Sequence, residues 1–185
     1  MICSVRLTPA SNEHEWIKAL YELSFPIDER RPYDELLRLM ERDEAFNVEA
    51  IYDDNTLVGF IAHWSFPACR YVEHYAIDAA RRGCGLGSEA LQLFLARDAR
   101  PVVLEVEIPT DAMSRRRIAF YRRFGFILHD TFSYIQPAYT PDSNPVALHL
   151  MTCGGGDNCP LEEITSLLHR LIRHHKKIDQ PPRIC

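Results

Sequence analysis

Apolar and polar positions alternate, cluster and break in a regular succession along this chain, and the breaks divide it into elements. Ser4 to Thr8 alternates as a short strand closed by Pro9. Asn12 or Ser11 can cap a helix whose Trp16, Leu20 and Leu23 share a face, and Pro26 stops it. Pro32 and Asp34 open a second helix carrying Leu36, Leu37, Leu39 and Met40. Phe46 to Tyr52 and Thr56 to Phe66 read as strands joined by the turn Asp53-Asp54-Asn55, and Tyr71 to Ile77 follows as a third. Three consecutive strands with short turns predict an antiparallel meander.

From Gly85 the period changes to a helical one, with Leu86, Ala90, Leu91, Phe94 and Leu95 on one stripe. Val102 to Ile108 is a strong strand. The helical crossover before it predicts a parallel partner in Tyr71 to Ile77. Thr110 or Asp111 caps a helix through Phe124 that Gly125 ends. Phe126 to Ile135 and Val146 to Thr152 are strands that pair with each other. The fold class expected is therefore α/β with a mixed, mostly antiparallel sheet, one parallel pair and flanking helices. Residues 1–152 form one domain. Residues 153–185 form a glycine linker (Cys153 to Cys159) and an amphipathic helix with Leu161, Ile164, Leu167, Leu168, Leu171 and Ile172 on one face. That helix can dock on its own sheet or on a second subunit, which leaves a homodimer open. The residues from Gln180 on are expected to fray.

The chemistry concentrates between Tyr71 and Ala96. A strand leads into Asp78-Ala-Ala-Arg81-Arg82-Gly83-Cys84-Gly85-Leu86-Gly87-Ser88 and then into a helix. Glycines at a helix start let backbone N–H groups approach an anion, and the helix dipole and two arginines add positive potential. A P-loop would need a Lys after its last Gly, and none is present. A dinucleotide fingerprint would follow its strand directly. Here Asp78 to Arg82 intervene, and the preceding meander does not fit that fold. The spacing Arg82-x-x-Gly85-x-Gly87 instead resembles the acyl-CoA pyrophosphate loop of the GNAT N-acetyltransferase superfamily, Arg/Gln-x-x-Gly-x-Gly/Ala.

A second segment, Ser114-Arg-Arg-Arg-Ile-Ala-Phe120-Tyr121 ending in Gly125-Phe126, is similar to the later motif of that superfamily, Asn-x-x-Ala-x-x-Leu-Tyr before a Gly-Phe pair. Ser114 stands where Asn is usual and Arg117 where Ala is. The resemblance covers about residues 48–135 and implies a GNAT-like acyl-CoA N-acyltransferase fold, with the parallel pair splayed to admit the cofactor. It implies that the backbone of Tyr75, Ala76 and Ile77 pairs with the pantetheine arm. It further implies that Arg82, Gly83, Gly85, Gly87 and Ser88 hold the pyrophosphate, that Ser114 bonds to CoA, and that Tyr121 protonates the leaving thiolate. The activity implied is transfer of an acetyl group from acetyl-CoA to a primary amine by direct attack in a ternary complex. The alternative is a non-catalytic acyl-CoA sensor of the same fold.

Amine attack needs a base. Strand alternation puts Glu73 on the face of Tyr75 and Ile77 and makes it the expected base, with His74 on the opposite face. Glu105 and Glu107 share a face of the neighbouring strand, where they frame an amine or pair with Arg115 to Arg117. Between Pro26 and Pro32, the segment from Phe25 to Tyr33 is a candidate substrate loop.

Composition narrows the field further. A chain of 185 residues suffices for one packed core, and 46% hydrophobic with 25% charged residues is ordinary for a soluble domain. A formal charge of −5 argues against nucleic acid, and no stretch is apolar enough to span a membrane. The start lacks a signal-peptide pattern, so a cytoplasmic setting and reduced thiols are expected. No Cys or His spacing fits zinc, no metal is expected, and no Ser-His-Asp elbow is visible.

Overall fold

The computed structural model describes residues 1–154 and 161–178, the last eight of these as backbone. Its strands are β1 (Ile2–Arg6), β2 (Phe46–Asp53), β3 (Thr56–Ser65), β4 (Arg70–Ile77), β5 (Val102–Glu107), β6 (Ile127–Gln136) and β7 (Val146–Cys153). Its helices are α1 (His14–Ser24), α2 (Tyr33–Arg42), α3 (Leu86–Leu95), α4 (Ala112–Arg122) and α5 (Leu161–Ile178). Short 3-10 turns occupy Ile27–Glu29 and Ala79–Arg81. The strands form one seven-stranded sheet in the order β1-β2-β3-β4-β5-β7-β6.

β2 to β4 make the expected antiparallel meander, with Asp54 in the left-handed region at φ 52° in the β2–β3 turn, and β1 pairs antiparallel with β2 at its outer side. The helical crossover through α3 makes β4 and β5 parallel. β7 pairs antiparallel with β6, as expected, and also with β5, so the last strand is inserted between its two predecessors.

Two apolar cores lie on the two faces of the sheet. One gathers Ile17, Leu20 and Tyr21 of α1, Tyr33, Leu36 and Leu39 of α2, and Ile164 and Leu168 of α5 over Phe46, Phe60, Trp64, Val103 and Leu150. The other gathers Ala90, Leu91 and Phe94 of α3 with Ile118 and Tyr121 of α4 over Val58, Ile61, Val72, Leu104 and Met151. α5 thus packs on its own domain through Ile164 and Leu168. Cys153 ends β7. Residues 155–159 of the expected linker and the residues from Gln180 lie outside the described residues, as do the side chains of Leu171 and Ile172. No described helix is long and apolar enough to cross a membrane.

Two expectations for α1 need correction. Its buried face is Ile17, Leu20 and Tyr21, while Leu23 is 82% exposed. Two apolar stripes compete on this helix. The one containing Tyr21 wins because its hydroxyl accepts a bond from the buried amide of Arg31 at 2.8 Å. Nor does Ser11 or Asn12 cap it: the N-cap is Glu13, without a side-chain bond, and Ser11 Oγ accepts from Thr8 N at 3.0 Å in a separate turn.

α4 is better closed. Asp111 accepts from the Ser114 amide at 2.7 Å while Ser114 Oγ accepts from the Asp111 amide at 3.2 Å, a reciprocal capping box. Replacing Asp111 by Ala therefore removes the cap from the helix that carries Tyr121. Urea denaturation should show a loss of about 1 kcal/mol.

Candidate active site

The site begins where a strand pair comes apart. β4 and β5 are in register only at Arg70–Val102, Tyr71–Val103 and Val72–Leu104. Beyond these, β4 runs on to Ile77 and β5 to Glu107 without pairing, and a cleft of about 320 Å³ opens between them. Tyr75, Ala76, Ile77 and Arg82 line one side, and Glu105, Glu107, Arg117 and Tyr121 line the other. Phe25 and Glu29, from the segment expected as a substrate loop, line it too.

The local cause of the separation is a bulge. Ala62 pairs with His74 and His63 with Val72, which leaves Glu73 without an opposite residue. The bulge resets the alternation. Val72, Tyr75 and Ile77 face the α3 side, whereas Tyr71 and Ala76 belong to the α1–α2 side. Glu73 and His74 both turn to the α1–α2 side, where His74 packs edge-on against Tyr21 and Phe25. The expectation that Glu73 shares a face with Tyr75 and Ile77, opposite His74, fails at this one inserted residue.

Glu73 is fixed there by Arg31, from the segment between the first 3-10 turn and α2. Arg31 Nε donates to Glu73 Oε1 at 2.7 Å, Trp64 Nε1 donates to Glu73 Oε2 at 2.7 Å, and Arg31 Nη1 donates to Glu35 at 2.8 Å. The Arg31 guanidinium also lies 4.5 Å from the Tyr139 ring centroid. Both side chains of the Arg31–Glu73 pair are 1% exposed. Burial alone would raise the Glu73 pKa. The charge and hydrogen bonds of Arg31, with the Trp64 bond, outweigh it and hold the carboxyl below its usual range. A carboxylate so engaged is a poor base. His74 is poorer still as a cation, because burial lowers its pKa while Nε2 donates to the Glu29 carbonyl at 2.9 Å.

Glu105 is in the opposite condition. It alternates with Leu104 and Val106, so it shares the α1–α2 face with Glu107, as expected. No cation pairs with it among the described residues. Burial pushes its pKa up to about 7, against the hydrogen bonds of Tyr134 and Tyr71. Glu107 is committed to Arg117, one of the arginines expected to neutralise this strand. Glu29 has no salt bridge among the described residues, and burial followed by the charge of Glu107 raises its pKa. Tyr121 is 7% exposed, packed against Phe120 and Phe126, and burial raises its phenol to about 12. At neutral pH it is a proton donor.

The anion loop follows β4 after the 3-10 turn Ala79–Arg81. Gly83 and Gly85 have φ of +84° and +86°, values that a side chain rarely adopts. Gly85 is the N-cap of α3; its carbonyl accepts from the Ser88 and Glu89 amides at 2.8 and 3.1 Å, and the amides of Leu86 and Gly87 before them have no intrahelical acceptor. Gly87 lies under β4: a Cβ there would stand 3.4 Å from Ile77 and 3.5 Å from the Tyr75 hydroxyl, which donates to the Gly87 carbonyl at 2.6 Å. Arg82 Nε donates to the Ile77 carbonyl at 3.0 Å and ties the loop to the strand end, and Ser88 sits in the first turn of α3.

The structure thus brings Tyr75, Ala76, Ile77, Arg82 and Tyr121 to one cleft, with Gly83, Gly85, Gly87 and Ser88 at its α3 end. Ser114 is not among the lining residues. Its hydroxyl bonds to Asp111 in the capping box. Sequence reasoning missed Arg31, Trp64, Tyr134 and Tyr139. Arg31 stands next to Arg30 and before Pro32, with no local pattern to mark it as the buried one of the two. No group of three or more His, Cys, Asp or Glu side chains among the described residues is arranged to hold a metal.

A mixed sheet with one splayed parallel pair, a glycine loop at the splay and helices on both faces is the framework of an acyltransferase. Residues 13–126 match the model of the acetyltransferase (GNAT) family. A protein of Bacteroides thetaiotaomicron assigned to the same family superposes with a TM-score of 0.86 at 34% identity, over 92% of this chain and 97% of that one. The ribosomal-protein-S18-alanine N-acetyltransferase of Escherichia coli matches at a TM-score of 0.60 and 16% identity, over 86% and 99%. Naa50 of Arabidopsis thaliana, in complex with the bisubstrate analogue CoA-Ac-MVNAL, matches at 0.54 and 20%, over 82% and 97%. No curated protein sequence matches. The chain belongs to the GNAT family of acetyltransferases and is an acyltransferase.

The Arg31–Glu73 pair generates a prediction about stability. Arg31→Ala leaves a buried carboxylate uncompensated and should cost about 3–5 kcal/mol in urea denaturation. Because the folded Glu73 pKa is depressed, the pair stabilises above the ordinary carboxyl pKa, and this contribution is lost as pH falls through the depressed value. The variant should therefore lose less stability than the wild type over that acid range.

Proposed function

We propose that this enzyme transfers the acetyl group of acetyl-CoA to the primary amine of a positively charged acceptor, the amine attacking in its neutral form within a ternary complex. The observation that carries the proposal is the unpaired stretch of β4, ending in a positive-φ glycine loop, with Glu105 and Tyr121 lining the same cleft. The residues fit the cosubstrate. The backbone of Tyr75, Ala76 and Ile77 can pair with the amide-bearing pantetheine arm as an added strand does. Arg82 and the α3 amides suit a pyrophosphate. The Arabidopsis relative with its CoA–peptide analogue adds support for an acyl-CoA and an amine meeting in one cleft.

Glu105, rather than Glu73, accepts the amine proton in this scheme, directly or through water. A carboxyl near pKa 7 balances availability and basicity at neutral pH. As the amine nitrogen bonds to the acyl carbon, a backbone N–H near Ala76 or Ile77 stabilises the charge developing on the thioester oxygen. The carbon–sulfur bond breaks, and Tyr121 gives its proton to the departing sulfur. Glu29 and Glu105, neither paired with a cation among the described residues, favour an acceptor with a second positive charge.

Arg82→Glu should weaken acetyl-CoA binding at least tenfold by calorimetric titration. Tyr121→Phe and Glu105→Gln should retain binding and lose roughly 10²–10⁴ in turnover, read as thiol release with a panel of primary amines and short peptides. The wild-type kcat/KM should rise with pH through about 7, as Glu105 deprotonates. Wild-type affinity in the charge-reversed protein would remove the anion loop from the account.

A further inference from the structure

Glu105 owes its placement to a residue at the far edge of the sheet. Register along β6 and β7 slips between His129 and Tyr134: His129 is opposite Leu150, yet Tyr134, five residues on, is opposite Leu148. The extra residues re-aim the strand and deliver Tyr134, 3% exposed, into the core on the α1–α2 face. There its hydroxyl donates to Glu105 Oε1 in a short hydrogen bond. Burial keeps the phenol well above its ordinary pKa, so it remains a donor throughout the working range.

The outer side of Tyr134 is covered by α5. The His169 ring stacks on it with centroids 5.8 Å apart and planes at 25°, and His169 Nε2 donates to the carbonyl of the next residue, Ile135, at 3.0 Å. Ile164 and Leu168, 6% and 2% exposed, seat the same helix in the core that contains Tyr134. A chain of direct contacts therefore runs from the C-terminal helix through Tyr134 to the carboxylate in the cleft.

We propose that Tyr134 is a positioning residue for Glu105, and that α5, through His169, Ile164 and Leu168, holds it in place, so that the C-terminal helix is part of the catalytic apparatus. The proposal rests on Glu105 being the base. Tyr134 fixes one carboxylate oxygen of a residue that lines the cleft. Its hydrogen bond also favours the charged form, offsetting burial and the repulsion of nearby carboxylates. The groups that face Glu105 are Tyr71 and Glu73 from β4, Tyr134 from β6, Tyr139 from the loop after β6 and Glu29 from the first 3-10 turn. Of these, Tyr71 and Tyr134 donate hydrogen bonds, while Glu73 and Glu29 oppose its ionisation.

The test uses the full chain labelled with carboxyl-¹³C glutamate, the Glu105 resonance being assigned by its loss in Glu105→Gln. In the wild type this carboxyl should titrate near pH 7. In Tyr134→Phe its midpoint should move up by on the order of 0.5–1 pH unit, the worth of one hydrogen bond. His169→Ala, which keeps the Tyr134 hydroxyl, should move it in the same direction by less. The acidic limb of thiol release should follow these midpoints, with acetyl-CoA affinity unchanged. An unaltered Glu105 midpoint in both variants overturns the positioning role while leaving the base assignment standing. A wild-type Glu105 that titrates near the ordinary carboxyl value, or a Glu105→Gln protein with undiminished turnover, overturns the base assignment and the positioning role with it.

Discussion

The parallel pairing of β4 and β5 ends after three residues, and the cleft between them opens from that interruption. A strand that stays paired offers no free backbone to a ligand and no gap for side chains to meet in. Here the interruption is held open by the bulge at Glu73. The extra residue turns Glu73 and His74 toward the α1–α2 face, where Arg31, Trp64 and the Glu29 carbonyl bond them. Such a pair does not have to add stability over an apolar replacement, since burying both charges is costly. Its consequence is conformational: with the bulge pinned by a 1% exposed ion pair, β4 cannot rejoin β5 by slipping one residue.

The same core then sorts the carboxylates by environment. Glu73 has a guanidinium and an indole N–H, and stays ionised. Glu107 has Arg117. Glu105 has only phenols, and its proton affinity rises into the neutral range. Three acidic residues within two neighbouring strands thus become a structural anion, a neutralised anion and a titrating group through their partners alone. In the same cleft, burial keeps the Tyr121 phenol protonated, so a titrating carboxyl and a phenol line one gap.

Much of the architecture was legible in the pattern of residues. Turn chemistry at Asp53-Asp54-Asn55, the switch to helical period after Gly85 and the Asp111 cap give elements within a residue or two of those observed. The glycine loop, Arg82 and Tyr121 could be singled out because the motifs that carry them are local spacings, and the structure places Arg82 and Tyr121 in one cleft. The misreading of Glu73 has a plain cause. A strand's two-residue alternation fails at a bulge, and neither the bulge at Glu73 nor the slip before Tyr134 leaves a glycine or proline to mark it. Ser114 matched a motif position, and its hydroxyl bonds within the helix cap beside it. Arg31 and Tyr139 join the site through tertiary contacts that no window along the chain contains.

The most direct measurement of the central claim is a thermal-shift titration of the intact protein with acetyl-CoA, CoA and NAD in parallel. A ligand that binds the folded state raises the unfolding midpoint by mass action. The account predicts a concentration-dependent rise with acetyl-CoA and with CoA, and none with NAD. A rise with NAD, or an unmoved midpoint with both CoA species, would contradict the assignment of the β4–β5 cleft as the acyl-CoA site.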